Sequence, residues 1–290
     1  MKRQGTEELW RVCFGDTEEF IRLFFDNVYQ NDSTLVIEKQ GRIVAALQLL
    51  PYTMLLEDKE VPISYICGVS TLPAERGKGM MRQLMGMADN ELKRRNIPLA
   101  TLIPAEPWLF DIYRKYGYQE AFFYQRSSYT ASALSTESNL HISVATETDA
   151  RLFPFLDQKL RERKACVLHS ETDFEIIRQD LDISGGKLLI ATNENNEIVG
   201  MAFTLPEEEG HSVFIPEFVY NNDSIKEELL NATAKQYNQA TVNYLTPPNT
   251  GKAFPKGMAK IIDADYFKKR DIDIQALFSD KNAGMTLMLD

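Results

Sequence analysis

The sequence predicts an α/β (α+β) fold arranged as two tandem domains, residues 1–130 and 140–290. Helical and extended patterns alternate along the chain, and the same order of elements occurs twice. Residues 127–139 separate the two occurrences, because there the sequence turns to Ser, Thr and Ala with little periodicity. With 290 residues, of which 44% are hydrophobic and 26% charged, the chain is long enough for two domains.

Two helices are expected at the start of the first domain, and Asp16 is expected to cap the second of them. Strands are expected at residues 34–38 and 43–50, joined by a tight polar turn, with Pro51 ending the second strand. A further strand pair follows and ends at Thr71. These elements lead directly to the most informative stretch of the chain.

That stretch is a strand, a basic glycine loop and a helix. The loop reads Arg76-Gly77-Lys78-Gly79-Met80-Met81. The first amide N–H groups of a helix have no intrahelical partner, and the helix dipole is positive there, so this end can bind an anion. Glycines allow close approach to the backbone and a positive φ, while Arg and Lys add charge. The sequence therefore predicts a phosphate cradle, and the competing interpretation is a surface turn with solvated basic side chains.

Neither the nucleotide-hydrolase loop nor the dinucleotide glycine motif is present here. The loop instead resembles the pyrophosphate loop of the GNAT superfamily of acyl-CoA N-acyltransferases, Arg/Gln-x-x-Gly-x-Gly/Ala, with Arg76 and Gly79 in the first two fixed places. Met81 departs from the pattern, although the enhanced-intracellular-survival branch, which the chain also resembles, tolerates a large apolar residue there. A second superfamily motif, Phe/Tyr-Tyr-x-x-x-Gly-Phe/Tyr, is matched in register at residues 112–118.

The resemblance implies that each domain has a mixed, mostly antiparallel central sheet flanked by helices. It also implies acetyl-CoA as the acyl-donor cosubstrate, with its pyrophosphate on residues 76–81 and Ala105 near the cofactor. The strand before the loop would diverge from its neighbour, so that backbone amides of Val69, Ser70 and Thr71 bind the pantetheine. Gly68 makes a bulge or a close approach plausible at that point.

Two residues of the second motif region are candidate catalytic groups. The resemblance implies that Tyr113 is the general acid that protonates the departing thiolate; the alternative is an aromatic that packs a helix on the sheet. Glu106 either orients the cofactor, or draws a proton from the amine through water, or is a solvated strand-end carboxylate. Trp108 and Phe110 either wall an acceptor pocket or pack in the core.

The second domain repeats the first without its loop. Residues 41–51 and 196–206 share a polar turn, Ile-Val, a small residue, an apolar strand and Leu-Pro. The neighbouring elements are expected in matching order, with helices at 149–163 and 171–181, a strand at 213–220 and a helix at 224–237. Where the first domain has glycines, the second has Asp223, whose carboxylate would repel pyrophosphate and cap the helix itself.

The tandem arrangement, with an active first copy and a degenerate second one, also resembles the survival-protein branch. The last stretch, residues 249–290, is too short for the third, sterol-carrier-like domain of longer members, and we expect it to complete the second sheet. In those longer relatives a terminal carboxylate serves as a base, which makes Asp290 a further candidate.

Composition excludes several other functions. The net charge of −10 argues against a general nucleic-acid binder and leaves a cationic amine plausible. Three distant cysteines suggest neither a disulfide framework nor a metal site, and every histidine lies beyond residue 140, so a catalytic triad or metal cluster in the first domain is poorly supported. No membrane-length apolar run or signal peptide is present, and we expect a cytoplasmic protein.

The function these patterns indicate is transfer of acetyl from acetyl-CoA to a primary amine, either a small molecule or a peptide amine, by direct attack in a ternary complex. Such transfer needs mainly positioning, because the neutral amine is itself the nucleophile. The alternative is a non-catalytic coenzyme-A-binding sensor or scaffold. A purely structural interaction module, which would not bind coenzyme A, is the third interpretation.

Overall fold

The computed structural model describes residues 1–131, 139–146, 148–207, 212–248 and 252–289. The first half contains α1 (Lys2–Cys13), α2 (Glu18–Asn27), β1 (Thr34–Lys39), β2 (Arg42–Leu56), β3 (Lys59–Thr71), a short 3-10 turn (Pro73–Glu75), α3 (Met80–Arg94), β4 (Leu99–Leu102), α4 (Leu109–Arg114) and β5 (Gln119–Thr130). The second half contains β6 (His141–Val144), α5 (Leu152–Arg161), β7 (Ala165–Leu168), α6 (Glu171–Ile183), β8 (Lys187–Thr192), β9 (Ile198–Pro206), β10 (Ser212–Tyr220), α7 (Asp223–Tyr237), β11 (Thr241–Thr246), β12 (Phe254–Ile261), α8 (Ala264–Lys269) and α9 (Ala276–Ser279).

The strands of the described residues form one 12-stranded sheet. Its order is β1-β2-β3-β4-β12-β5-β11-β10-β9-β8-β6, and β7 pairs with β2 beside this path. Adjacent strands are antiparallel except at β3–β4 and β10–β11, which are parallel and are joined by the crossover helices α3 and α7. The predicted mixed, mostly antiparallel sheet flanked by helices is therefore confirmed.

The two halves share one connectivity. In the first, β1, β2 and β3 pair antiparallel in succession, and α3 returns the chain to the parallel strand β4. In the second, β8, β9 and β10 do the same, and α7 returns the chain to β11. The echoed segments at residues 41–51 and 196–206 thus contribute to equivalent strands, β2 and β9. The boundaries 1–130 and 140–290 stay a prediction.

The halves exchange strands, which corrects the expectation that residues 249–290 complete the second sheet. β12 lies between β4 and β5, where Ala259 pairs with Thr101 on one side and Gln119 on the other. In return, the far end of β5 pairs with β11 of the second half. The exchange has a physical reason, because buried strand edges need hydrogen-bond partners and β4 would otherwise present one edge without a strand.

Two further boundaries differ from the sequence prediction. β2 does not end at Pro51, which pairs with Ser64 of β3. The part of β2 before Pro51 also pairs with β1, and the part after it also pairs with β7. Proline is tolerated there because its missing N–H falls outside both of those ladders. β5 continues to Thr130 inside the predicted linker at 127–139, of which residues 132–138 lie outside the described residues.

The cap of α2 also differs. Thr17 caps this helix, because its side chain accepts a hydrogen bond of 3.2 Å from the amide of Phe20. Asp16 instead accepts a hydrogen bond of 2.6 Å from the indole Nε1 of Trp10. Asp16 therefore connects the segment before α2 to the core residue Trp10 rather than stabilising the first turn of α2.

A predicted bulge is confirmed at Gly68. The β2–β3 register slips by one residue between the pairs Ala46–Ser70 and Gln48–Cys67, and Gly68 has a φ of +59°. A Cβ at Gly68 would lie 2.5 Å from the ring of Trp10. The bulge therefore needs both the backbone freedom and the small size of glycine.

We expect Gly68→Ala to lower the free energy of unfolding by about 3 kcal/mol, through a disfavoured φ and a clash with Trp10. Gly41→Ala is the matched control, because Gly41 has a φ of +74° and no described atom within 4 Å of an added Cβ. The control should lose only about 1 kcal/mol. Urea unfolding measures both, and equal losses would contradict the contact with Trp10.

Candidate active site

The start of α3 is open. Its N-cap is Gly79, with a φ of +81°, and no described side chain caps it. Gly77 also has a positive φ, +77°, and no described atom lies within 4 Å of a Cβ built on either glycine. Both glycines have the predicted conformation. Met80 and Met81 begin the helix and are half-buried against the core, and the amides of this first turn have no intrahelical acceptor.

The equivalent end of α7 is closed. Asn222 is its N-cap, and the side-chain oxygen accepts a hydrogen bond of 3.1 Å from the amide of Ile225. The prediction that Asp223 caps this helix is wrong, because Asp223 is the first helical residue and Asn222 precedes it in an extended conformation. An intramolecular acceptor thus occupies at α7 the position that is open at α3.

Charged side chains surround the open loop. Arg76 is exposed, and its Nε donates a hydrogen bond of 3.2 Å to the carbonyl of Thr71 at the end of β3. Lys78 lies 3.1 Å from the carboxylate of Glu75, which also accepts a hydrogen bond of 2.6 Å from Lys39. The hydrogen bond from Lys39, followed by that from Lys78, lowers the pKa of Glu75. The two lysines and Arg76 outnumber Glu75, so the net charge around the loop is positive.

β3 and β4 separate beyond Tyr65. Their parallel pairing covers only the pairs Ile63–Leu99, Ser64–Ala100 and Tyr65–Thr101. β3 continues to Thr71, and over that part it pairs with β2 alone among the described strands. The edge of β3 turned away from β2 is therefore available to a ligand that hydrogen-bonds like a strand.

The predicted pantetheine-binding residues lie on this edge segment, directly after the bulge. Val69 and Thr71 are half-buried and Ser70 is buried. The hydroxyl of Ser70 donates a hydrogen bond of 3.2 Å to the carbonyl of Gly68. Because this hydrogen bond is local, the segment keeps its shape without help from β4.

Tyr113 lies on α4 in the core between the helices and the sheet. It is 6% exposed, and its ring is 5.9 Å from that of Tyr118 in an edge-to-face arrangement. Burial, followed by the nearby Cys67 and Tyr116, raises the pKa of Tyr113 to about 12. Cys67 precedes the bulge in β3, so the phenol lies near the point where β3 and β4 separate, and it is protonated at neutral pH.

The loop after β4 carries the other predicted residues. Ala105 and Glu106 are exposed, and the carbonyl of Glu106 accepts a hydrogen bond of 3.0 Å from the amide of Leu109, at the start of α4. Trp108 is 63% exposed, so it does not pack in the core, whereas Phe110 is 9% exposed. Ala105 and Phe110 line a cleft of about 750 Å³.

This cleft belongs to a longer groove between the two halves, which sequence analysis did not find. The cleft shares Ile103, Pro216 and Lys256 with an adjoining cavity of about 240 Å³ that is also lined by residues 287–289. That cavity shares Asp180 and Ser184 with a third one, of about 410 Å³, beside the α1–α2 turn. The lining residues come from distant parts of the chain, so no local pattern marks them.

The described ranges contain no group of three or more His, Cys, Asp and Glu side chains that could hold a metal ion. No helix in the part of the chain that the structure describes is long and apolar enough to cross a membrane. Asp290, the further candidate base, lies outside the described residues.

Comparison with known proteins finds similarity over the first part of the chain. Residues 2–121 match the family model described as the acetyltransferase (GNAT) domain. A curated relative, S-alkylcysteine N-acetyltransferase of Bacillus subtilis (strain 168), is 26% identical over 117 residues, which cover 38% of this chain and 64% of that protein. Residues 2–121, which carry the loop and the tyrosine motif, are therefore similar to the acetyltransferase (GNAT) domain.

Solved structures resemble the chain over most of its length. A probable N-acyltransferase of unknown function from Enterococcus faecalis V583 has a TM-score of 0.75 and 14% identity, covering 92% of this chain and 72% of that one. Eis1 from Mycobacterium abscessus has a TM-score of 0.66 and 12% identity, covering 91% of this chain and 72% of that one. At these identities the likeness shows the fold, which extends beyond the matched family domain into the second half.

We expect Asn222→Ala to lower the free energy of unfolding by about 1 kcal/mol, because the first turn of α7 loses its acceptor. Asn222→Asp keeps an acceptor oxygen and should stay within a few tenths of a kcal/mol of wild type. Urea unfolding of both variants checks this. A wild-type stability for Asn222→Ala would show that α7 does not need this cap.

Proposed function

We propose that the protein is an acyl-CoA-dependent N-acyltransferase that transfers acetyl from acetyl-CoA to a primary amine by direct attack in a ternary complex. The observation that carries the proposal is the open start of α3 at the end of β3, beside the point where β3 and β4 separate. Pyrophosphate would bind the amides of residues 76–81, with Arg76 and Lys78 adding charge. The match of residues 2–121 to the GNAT domain supports the same assignment.

The pantetheine would lie along the free edge of β3. Backbone groups of Val69, Ser70 and Thr71 would bind it as a neighbouring strand would, and an amide there would polarise the thioester carbonyl. Ala105 is exposed in the loop after β4, where it would contact the cofactor. The thioester would then reach the end of β4 beside the groove between the halves.

In the reaction, the neutral amine nitrogen forms a bond to the thioester carbon, and the carbon–sulfur bond breaks. Tyr113 would donate its proton to the departing thiolate sulfur. Full transfer from a phenol with a pKa of about 12 to a thiolate whose acid has a pKa near 8.5 is uphill. A hydrogen bond from Tyr113 would therefore strengthen as negative charge forms on sulfur before the proton moves, and the proton that the amine loses to Glu106 would return to the phenol through water.

The acceptor amine would enter through the groove between the halves, which meets the end of β4 at Ile103. Glu106 is exposed in the loop after β4 and would take a proton from the amine through water. Asp16 and Asp180 line the far end of the groove and would attract a cationic amine.

We expect acetyl-CoA at 100 times its Kd to stabilise the wild type by about 2.7 kcal/mol, which a thermal-shift assay detects. Gly79→Asp should abolish this shift, because a carboxylate would occupy the position of the pyrophosphate. Gly41→Asp is the matched control: it adds the same charge at a glycine with a similar φ of +74°, in the β1–β2 turn rather than at the start of α3, and should keep the shift. Retained binding by Gly79→Asp would contradict the loop assignment.

We expect Tyr113→Phe to lower kcat about 100-fold while the KM for acetyl-CoA changes less than threefold. Because burial raises the pKa of Tyr113 to about 12, its proton is retained between about pH 8 and pH 10, and wild-type kcat should not fall there through this group.

Release of free coenzyme A from acetyl-CoA, measured over a panel of amines, provides these kinetics. Unchanged kcat in Tyr113→Phe would remove Tyr113 from the mechanism. Binding of acetyl-CoA without turnover for any amine would favour the sensor or scaffold over the enzyme.

A further inference from the structure

The C-terminal segment, residues 284–289, passes between the two halves. The amide of Gly284 donates to the carbonyl of Ala165, and the amide of Val167 donates to the carbonyl of Gly284, both at 2.9 Å. A Cβ at Gly284 would lie 3.0 Å from Nη1 of Arg163 and 3.1 Å from Sγ of Cys166, so a small residue is needed there. The segment is thus fixed to β7 before it reaches the groove.

Thr286 is held from two sides. Its hydroxyl donates a hydrogen bond to Oε2 of Glu217, on β10. Its carbonyl oxygen is 2.9 Å from Nε2 of His169. A carbonyl can only accept, so this nitrogen carries the proton, and burial lowers the pKa of His169, which keeps the ring neutral.

Glu217 is itself fixed by Arg163. Two nitrogens of the guanidinium bind the two carboxylate oxygens, at 2.8 Å and 3.2 Å, and Oε1 also accepts a hydrogen bond of 2.9 Å from the amide of Phe218. Burial alone would raise the pKa of Glu217, but the charge and hydrogen bonds of Arg163 bring it below the usual value. A buried charge pair is weak evidence for stability, so its geometry suggests positioning.

Directly after Thr286 the backbone is strained. Leu287 has a φ of +58°, a conformation that residues with a Cβ adopt rarely. Such outliers persist only where surrounding contacts determine the backbone, and they cluster at functional sites. Before Leu287, the hydrogen bonds of Thr286 hold the backbone. After it, Leu289 is buried, with 5% of its surface exposed.

The turn places the segment along the cavity of about 240 Å³ that reaches Ile103, at the end of β4. The walls of this cavity are mainly apolar. They include Ile177, Leu181, Phe203, Leu205, Leu287 and Leu289. An apolar wall binds an apolar substituent by removing its surface from water.

We propose that residues 287–289 are the specificity-determining wall of the acceptor site, that they select primary amines with an apolar substituent, and that Thr286, Arg163, Glu217 and His169 are positioning residues that hold this wall. The inference deepens the proposed function and rests on it for the acylation step. Binding of the amine itself does not require turnover.

The test compares n-hexylamine with 2-(2-aminoethoxy)ethanol, a polar amine of matching chain length. Calorimetry measures their binding to the full chain, and coenzyme A release measures their acetylation. We expect wild type to prefer n-hexylamine. Thr286→Val removes the hydrogen bond to a charged group and should raise both Kd and KM for n-hexylamine about tenfold, with the KM for acetyl-CoA unchanged.

Thr286→Ser keeps the hydroxyl and should retain wild-type selectivity. Leu205→Asp, at a partly exposed strand position in the cavity wall, gives a second variant that does not depend on the buried pair, and it should remove the preference for n-hexylamine. An unchanged preference in both Thr286→Val and Leu205→Asp overturns the inference, as does equal loss in Thr286→Val and Thr286→Ser.

The two failures can be told apart. One outcome is that n-hexylamine binds selectively, that Thr286→Val weakens this binding, and that no amine is acetylated. This outcome would contradict the proposed function and support the proposed wall. Acetylation of amines with no preference for n-hexylamine would support the proposed function and overturn the wall.

Discussion

The separation of β3 from β4 is the constraint on which the rest of the candidate site depends. β3 keeps its partner β2 as far as Thr71, so it remains a strand while its other edge loses β4 beyond Tyr65. The bulge at Gly68, packed against Trp10, sits within this segment. Since a free backbone edge within a folded chain needs hydrogen-bond partners, this geometry favours a ligand with amide groups, such as pantetheine.

The exchange of strands between the halves determines which residues form the groove beside β4. β12 fills the edge of β4, and it brings the rest of the C-terminal stretch to the junction of the halves. β7 pairs with β2, and Gly284 pairs with β7, so the groove is bounded by backbone hydrogen bonds that cross between the halves. The second half therefore contributes to the site without an anion-binding loop of its own.

Sequence reasoning succeeded where the cause is local. Positive φ at Gly77 and Gly79, the bulge at Gly68 and the amphipathic stripe of α3 follow from residues within a few positions of each other. It failed where a distant partner decides the outcome. The place of β12 depends on the unfilled edge of β4, and β7 pairs with a part of β2 that lies some 110 residues earlier in the chain.

The caps of α3 and α7 show how one fold can serve two purposes. Asn222 satisfies the first turn of α7 within the chain, so that helix needs no ligand, whereas Gly79 leaves the first turn of α3 to one. A half whose equivalent helix is capped within the chain can carry other groups at the same junction. Glu217 lies on β10, the counterpart of β3, so the strand that would bind pantetheine in one half holds the C-terminal segment in the other.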